Sequence, residues 1–293
     1  MAVYPTPWRA RLREIGYQID IDTLRARDDH AFLWEELDRT LAGRRKALDR
    51  FWSEDWDYFE LVVTGTDRLH HFLWSAGENP GHPGHGRFLD YYRRVDELIG
   101  RAADSFRDLT GSEDGFFLLS DHGFCGIVQE VYLNVWLEKE GLLSFDSASP
   151  QGLEDASASS AAFVLDPGRV YVHRRGRFPR GSVADSEAAA VMDRIEAGLG
   201  RLEHEGRKVI RRVFRAAEIY SGPLAGRGPD LVILAEPGYD LKGSVKKKDV
   251  FGRTSLEGMH TWDDAFFWAS RPAGGDLAIR NLAGIITRSL TRP

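Results

Sequence analysis

Apolar residues in this chain follow two different periods. Over the first fifty residues, Leu and aromatic residues alternate with Arg, Asp and Glu at helical spacing, which predicts amphipathic helices that cover a core. From residue 56 the pattern changes, because 58–64 is a short, β-branched apolar run that Gly65 ends. Such a run predicts a buried strand. A helix is expected directly after it, with Thr66 or Asp67 as its cap.

The alternation of strands and helices then continues along the chain. Residues 144–161 interrupt it, because they are rich in Ser, Ala, Asp and Gly and indicate a flexible connection or an insertion. Strands that alternate with helices predict an α/β fold whose central, mostly parallel sheet is flanked by helices. The further helices are predicted at 88–109, 130–140 and 185–202, and the further strands at 115–120, 169–173, 209–214, 230–235 and 265–270.

The amino-acid composition excludes several classes of protein. With 293 residues, 42% of them hydrophobic and 29% charged, disordered, collagen-like and coiled-coil proteins are excluded. The single cysteine, Cys125, allows no internal disulfide and favours a cytoplasmic location. No apolar run approaches the length of a membrane span, so no membrane association is expected. The net charge of −6 argues against general nucleic-acid binding.

Metal-ligand residue types stand at the ends of two predicted strands. Asp67 and His71 are four residues apart, one helical turn, so both side chains can reach one cation. Taken alone, this spacing favours a capping aspartate and a surface histidine. His70 points elsewhere on the same helix and is expected to pack or to support the ligands.

The second group is Asp121 and His122, followed by Gly123 at the end of the run FFLLS. A bend at this glycine lets both side chains turn towards one ion, and their burial would be costly without a partner. An Asp–His hydrogen bond within a turn is the alternative. His260, in the segment GMHT before the predicted strand at 265–270, is a third candidate that means little by itself.

Taken together, the segments TGTDRLHHFLW, FFLLSDHGF, GPDLVIL and GMH, in this order and spacing, resemble the alkaline phosphatase superfamily. The resemblance is to its type I phosphodiesterase and nucleotide pyrophosphatase branch. It implies an alkaline phosphatase-like α/β core over 1–143 and 221–293, with a smaller inserted lobe over 144–220. A phosphate ester is the implied small-molecule substrate.

The resemblance also implies two divalent cations. Asp67, His71 and His260 would hold one ion, and Asp121 and His122 would hold the other. Mixed His and Asp ligands suit zinc, with manganese as the competitor.

One part of the family pattern is missing from this sequence. Relatives carry, upstream of the segment that TGTD matches, a first strand that ends in an Asp ligand, and then a Thr or Ser nucleophile. Three interpretations follow: the C-terminal part of a phosphodiesterase, a shortened form that still hydrolyses esters, or an inactive relative that binds a phosphate ligand or a partner. A phosphoglycerate mutase-like phosphotransferase and a sulfatase draw on the same metal motifs. Substitute nucleophiles are conceivable at Thr64, Thr66 and Ser120, although each is better explained as a strand-end or cap residue.

Two surface features complete the expectations. A core that lacks its first strand or strands leaves a sheet edge exposed, which predicts self-association or modest stability. The basic run at 174–180, with arginines at 174, 175, 177 and 180, is typical of a solvated hairpin tip. Attraction of an anionic substrate is the alternative.

Overall fold

The computed structural model describes residues 3–272, 274 and 277–290. Over this part of the chain the helices are α1 Trp8–Glu14, α2 Thr23–Ala26, α3 His30–Phe51, α4 Gly65–Glu78, α5 His85–Thr110, α6 Leu133–Lys139, α7 Ala188–Leu199, α8 Ala216–Ile219 and α9 Ile279–Leu290. The strands are β1 Phe117–Leu119, β2 Gly123–Gly126, β3 Gln129–Tyr132, β4 Ala162–Leu165, β5 Arg169–Val172, β6 Glu203–His204, β7 Arg207–Lys208, β8 Ile210–Arg215, β9 Leu231–Ala235, β10 Tyr239–Lys242, β11 Phe251–Gly252, β12 Gly258–Thr261 and β13 Phe267–Ala269.

The chain divides into two compact units. The first unit contains residues 1–126 and 255–293, and the second contains residues 127–254. The division that the sequence predicts, into a core over 1–143 and 221–293 and a lobe over 144–220, stays a prediction.

The first unit has a helical core. Leu33 and Leu37 lie one turn apart on α3 and are fully buried, as the amphipathic pattern of this segment requires. Leu69 of α4 and Tyr91 of α5 are buried in the same cluster. The side chain of Asp29 starts α3 by accepting a hydrogen bond from the Phe32 amide at 2.9 Å. The helices predicted after Gly65 and over 88–109 are confirmed as α4 and α5.

Two short antiparallel pairs complete the first unit. Strand β1 pairs with β13, and β2 pairs with β12 in a register that sets Phe124 opposite His260. Strand β12 also lies directly against α4, where the Glu257 amide donates a hydrogen bond to the His71 carbonyl at 2.8 Å. The strand that carries His260 is therefore tied to the helix that carries Asp67.

Besides the antiparallel pair of β6 and β7, the second unit is built on two sheets. The order of the larger sheet is β4-β5-β9-β8, and all its neighbours are antiparallel. The smaller sheet has the order β10-β3-β11, with β10 parallel to β3. Trp136 and Leu137 of α6 and Ile195 and Leu199 of α7 are buried in the core of this unit.

A mixed α/β fold is confirmed, but the predicted central, mostly parallel sheet is not what the described residues form. Their strands make five small sheets that are mostly antiparallel. The buried strand predicted over 58–64 is one example, because this apolar run forms no ladder with any described residue. Phe59, Leu61 and Val63 are half-buried against the helical core, and Val62 between them is exposed. An apolar run is thus enough to pack this segment against the core, while a strand also needs a neighbour to pair with.

Two further details differ from the sequence prediction. The helix expected over 130–140 begins at Leu133, because the preceding residues pair with β10 and β11 as strand β3. No helix in the described part of the chain combines the length and the apolar character that a membrane crossing demands.

Candidate metal centre

Helix α4 sets two of the predicted ligands side by side. Asp67 lies in its first turn, and His71 follows one turn later. The His71 Nε2 atom is 3.5 Å from Asp67 Oδ1. This proximity follows from the helical repeat alone, since residues four apart share one face of a helix.

Strand β12 brings the third residue from a remote part of the chain. His260 Nε2 lies 2.9 Å from Asp67 Oδ1 and 2.9 Å from His71 Nε2. The pairing of β12 with β2 and its contact with α4 fix this position. Three side chains therefore direct their ligand atoms to one point.

The loop between β1 and β2 adds His122 and Asp121. His122 Nε2 is 3.7 Å from Asp67 Oδ1, and its ring is stacked on that of His260 with the centroids 3.7 Å apart. The ligand atoms of Asp67, His122 and His260 all lie within 4.8 Å of one another. Asp121 Oδ1 is 3.5 Å from His122 Nε2, and its side chain is 79% exposed.

The outer partners of two histidines fix which ring nitrogen faces this cluster. His71 Nδ1 is 2.8 Å from the Gly258 carbonyl oxygen, and His122 Nδ1 is 3.1 Å from the Gly123 carbonyl oxygen. A carbonyl accepts a hydrogen bond, so Nδ1 of each ring carries a proton and Nε2 is the nitrogen that a metal can bind. Metal-binding histidines show this arrangement, in which the second nitrogen donates to a backbone oxygen or a carboxylate. The donor set thus fits a divalent cation.

The charges around Asp67 keep its carboxyl group ionised. Burial by itself raises the pKa of Asp67, but the hydrogen bond with His260 and the charges of His71 and Arg68 outweigh it, so the pKa lies below its ordinary value. Burial lowers the pKa of His71, against the opposing effect of Asp67. An ionised carboxylate beside a neutral imidazole is the state in which both side chains bind metals.

Arg68 supports Asp67 from outside the cluster. Its Nη1 donates to Asp67 Oδ2 at 2.8 Å, while its Nη2 and Nε donate to the carboxylate of Asp20. Asp67 Oδ1 is thereby left to face the histidines. The contact with Asp20 holds Arg68 in place independently of Asp67.

The family model for type I phosphodiesterases and nucleotide pyrophosphatases matches residues 3–263. The chain belongs to this family. The family is part of the alkaline phosphatase superfamily and typically depends on divalent metals. No curated protein and no solved structure matches the chain.

The match to the phosphodiesterase family covers all five predicted ligands, and the structure places all five in the first unit. Asp67, His71, His122 and His260 converge, and Asp121 lies at the exposed rim next to His122. Asp67, His71 and His260 lie closest together, with 2.9–3.5 Å between their ligand atoms. Asp67, His122 and His260 form a second set whose ligand atoms lie within 4.8 Å of one another. This set combines residues that the resemblance assigns to two different ions, and that assignment of ligands stays a prediction.

Two residues that the sequence analysis did not select also shape the centre. The ring of Phe124 lies 4.9 Å from that of His71 and 5.2 Å from that of His260, so it forms the apolar wall of the cluster. The carboxylate of Glu257 accepts hydrogen bonds from the Ser75 amide at 2.8 Å and the Ser75 hydroxyl at 2.6 Å. Phe124 could have been selected from the sequence, because it lies only two residues after the predicted ligand His122. No feature of the sequence points to Glu257.

His70 packs beside the centre, in agreement with its expected role. Its ring is surrounded by those of Trp74, Phe88, Tyr92 and Phe124. Its Nε2 is 2.8 Å from the Tyr92 hydroxyl, and burial lowers the pKa of His70 to about 4.

Replacing Gly258 by alanine should weaken metal binding. A Cβ at residue 258 would lie 2.4 Å from the His70 carbonyl oxygen, so β12 would have to move away from α4. That movement shifts both His260 and the carbonyl that orients His71. We expect zinc affinity to fall by about 10- to 100-fold, as for the loss of other outer-shell contacts. Isothermal titration with zinc measures the effect.

Gly86 provides the matched control. It lies in the first turn of α5 in the same unit, and a Cβ there would meet no atom within 4 Å. The Gly86→Ala variant should bind zinc with wild-type affinity. Equal affinities for both variants would show that the approach of β12 to α4 does not position the ligands.

Proposed function

We propose that this member of the phosphodiesterase family is a metal-dependent hydrolase of phosphoric esters that prefers phosphodiesters. The supporting observation is the convergence of one ionised carboxylate and three imidazoles, two of which have their Nδ1 atoms against backbone carbonyls. The family match points to the same chemistry. Zinc is the proposed metal, because carboxylate oxygen and imidazole nitrogen suit it, with manganese as the competitor.

The ligand side chains have distinct tasks in this proposal. Asp67 supplies the negative charge that attracts the cations, and Arg68 keeps the second oxygen of that carboxylate occupied. His71, His122 and His260 supply nitrogen ligands, and Asp121 adds a second carboxylate at the rim. When bound, divalent cations stabilise the charge that develops on a phosphoryl group and orient it for in-line attack.

We propose water as the nucleophile. The Thr66 hydroxyl donates to the Val63 carbonyl at 3.3 Å, and the Ser120 hydroxyl accepts from the Phe266 amide at 3.0 Å. The Thr64 hydroxyl accepts from Arg44 at 3.3 Å. These are the contacts of cap and turn residues. Attack by water forms one P–O bond and breaks the bond to the leaving alkoxide, which takes up a proton as the alcohol.

Hydrolysis of bis(p-nitrophenyl) phosphate tests the proposal. The chain is treated with a chelator, reloaded with zinc or manganese, and followed by release of p-nitrophenol. We expect hydrolysis after reloading, none in the chelator-treated protein, and a loss in His122→Ala. Metal binding without hydrolysis would contradict the proposal and favour a relative that binds phosphate ligands without catalysis.

A further inference from the structure

The second unit contains a cavity of about 680 Å³ that lies in the basic segment after β5. Its charged and aromatic lining consists of Arg174, Arg175, Arg177, Asp185, Tyr220 and Asp230. The rest of the wall is formed mainly by alanine and glycine residues, whose small side chains leave the space open. The volume is within the range of small-molecule sites, about 300–1,000 Å³.

Asp230 anchors two of the arginines. Its side chain is only 6% exposed and accepts a hydrogen bond from the Val172 amide at 2.9 Å. Arg174 Nη2 donates to Asp230 Oδ1 at 2.6 Å, and Arg177 Nη1 donates to Asp230 Oδ2 at 3.4 Å. Arg177 Nη2 also donates to the Gly228 carbonyl. Both guanidinium groups are therefore held in fixed positions at the cavity wall.

Donor capacity remains after these contacts. Arg174 Nη1 donates to Asp185 Oδ1 at 3.3 Å, and only its buried Nε has no hydrogen-bond partner among the described residues. Arg175 lies at the cavity on the exposed side of the turn. Its backbone amide donates to the Val183 carbonyl at 2.9 Å, while its side chain forms no ion pair or hydrogen bond within the described residues. The lining carries three arginines against two carboxylates, so its formal charge is +1. The 174–180 segment is thus more than a solvated hairpin tip.

We propose that this cavity binds the phosphate groups of a small phosphorylated molecule, at a site separate in sequence and in unit from the metal ligands. Planar guanidinium groups match the oxygens of phosphate with paired hydrogen bonds. Asp230 already orders two of the arginines, so these side chains lose little conformational entropy when a ligand binds. Arg175 supplies the charge that is not neutralised within the protein. The exposed ring of Tyr220 offers a flat surface for the rest of the ligand.

Calorimetric titration of the full chain with inorganic pyrophosphate tests this site. A chelator is present throughout, so that cations at the metal ligands do not contribute. We expect the wild-type chain and the Asp67→Ala variant to bind pyrophosphate equally. Arg175→Ala should weaken binding about tenfold, since it removes a charged hydrogen-bond donor, and Arg175→Glu should abolish it.

Arg207 is the matched control for Arg175. It is an exposed arginine on β7 in the same unit and does not line the cavity. Arg207→Ala should bind pyrophosphate as the wild type does. The proposal is wrong if the wild-type chain does not bind pyrophosphate, if Arg175→Ala binds it unchanged, or if succinate binds as tightly as pyrophosphate. Thermal unfolding of each variant checks that the exposed substitutions leave the fold intact.

Discussion

Replacing Asp67 by alanine is expected to remove both zinc binding and phosphodiester hydrolysis. Asp67 is the only carboxylate within either close set of candidate ligands in the described part of the chain. Its Oδ1 atom faces His260 at 2.9 Å, His71 at 3.5 Å and His122 at 3.7 Å. Without it, only the exposed carboxylate of Asp121 at the rim is left to offset the charge of a cation among three imidazoles.

The expected loss in zinc affinity exceeds about 100-fold. Losing an outer-shell partner already costs about 10- to 100-fold, and Asp67 is proposed as a ligand itself. The variant should still fold, because Arg68 keeps its contact with Asp20. Isothermal titration with zinc and hydrolysis of bis(p-nitrophenyl) phosphate measure the two effects.

Asp57→Ala serves as the control for Asp67→Ala. Asp57 is an exposed aspartate in the same unit, and its replacement removes the same charge outside the cluster. It should retain zinc affinity and hydrolysis. If Asp67→Ala bound zinc as tightly as Asp57→Ala, the carry-over of this ligand from the family would be wrong.

The second large effect concerns Arg44, which joins the segment before α4 to the segment around residue 18. This side chain is 3% exposed, although its position in an Arg-rich helix is typical of a surface residue. Its Nε donates to the Val62 carbonyl at 3.1 Å, and its terminal nitrogens donate to the carbonyls of Gln18 and Ile19. The guanidinium group also lies over the ring of Tyr17 at 4.8 Å.

Arg44→Ala is expected to lower the free energy of unfolding by about 3 kcal/mol or more. The substitution removes the Arg44 donor from three carbonyl groups, of which only that of Ile19 keeps another hydrogen-bond donor within the described residues, the Thr64 hydroxyl at 3.5 Å. It also opens a cavity next to Tyr17. Hydrogen bonds to charged groups contribute about 1.5–3 kcal/mol each, and Arg44 donates to three carbonyls. Urea unfolding followed by circular dichroism gives the difference.

Arg45 is the adjacent control on the same helix. It is exposed, so Arg45→Ala should change stability by no more than about 0.5 kcal/mol. Arg44→Lys should recover only part of the loss, because an ammonium group cannot reach several carbonyls as the guanidinium fork does. A value for Arg44→Ala within 1 kcal/mol of that for Arg45→Ala would contradict the role of this network.

The ligands of the candidate centre differ in how far the sequence could place them. The proximity of Asp67 and His71 follows from their spacing of four on a predicted helix, and the structure shows both on α4. His260 lies 193 residues from Asp67, so no local pattern relates the two. Only the family resemblance predicted that Asp67 and His260 bind the same ion. In the structure, the pairing of β12 with β2 places His260 beside Asp67.

Residues 58–64 show the limit of local patterns for the fold. Their apolar run predicted a buried strand, but Phe59, Leu61 and Val63 are only half-buried and pair with no described strand. It could not reveal whether another strand lies beside them, because a ladder is formed with residues that are remote in sequence. The same limit explains why a parallel sheet was predicted from alternating strands and helices while the described sheets are mostly antiparallel.

The sequence by itself determined the features that depend on neighbouring residues. These are the helices with apolar residues at a period of 3.6, the metal-ligand residue types at the ends of short apolar runs, and the family. The tertiary structure decided which strands pair, that Arg44 is buried, that Phe124 walls the cluster, and that Asp67 meets His122 as well as His260. The physical reason is range: helix periodicity acts over a few residues, whereas strand pairing and burial depend on contacts between distant parts of the chain.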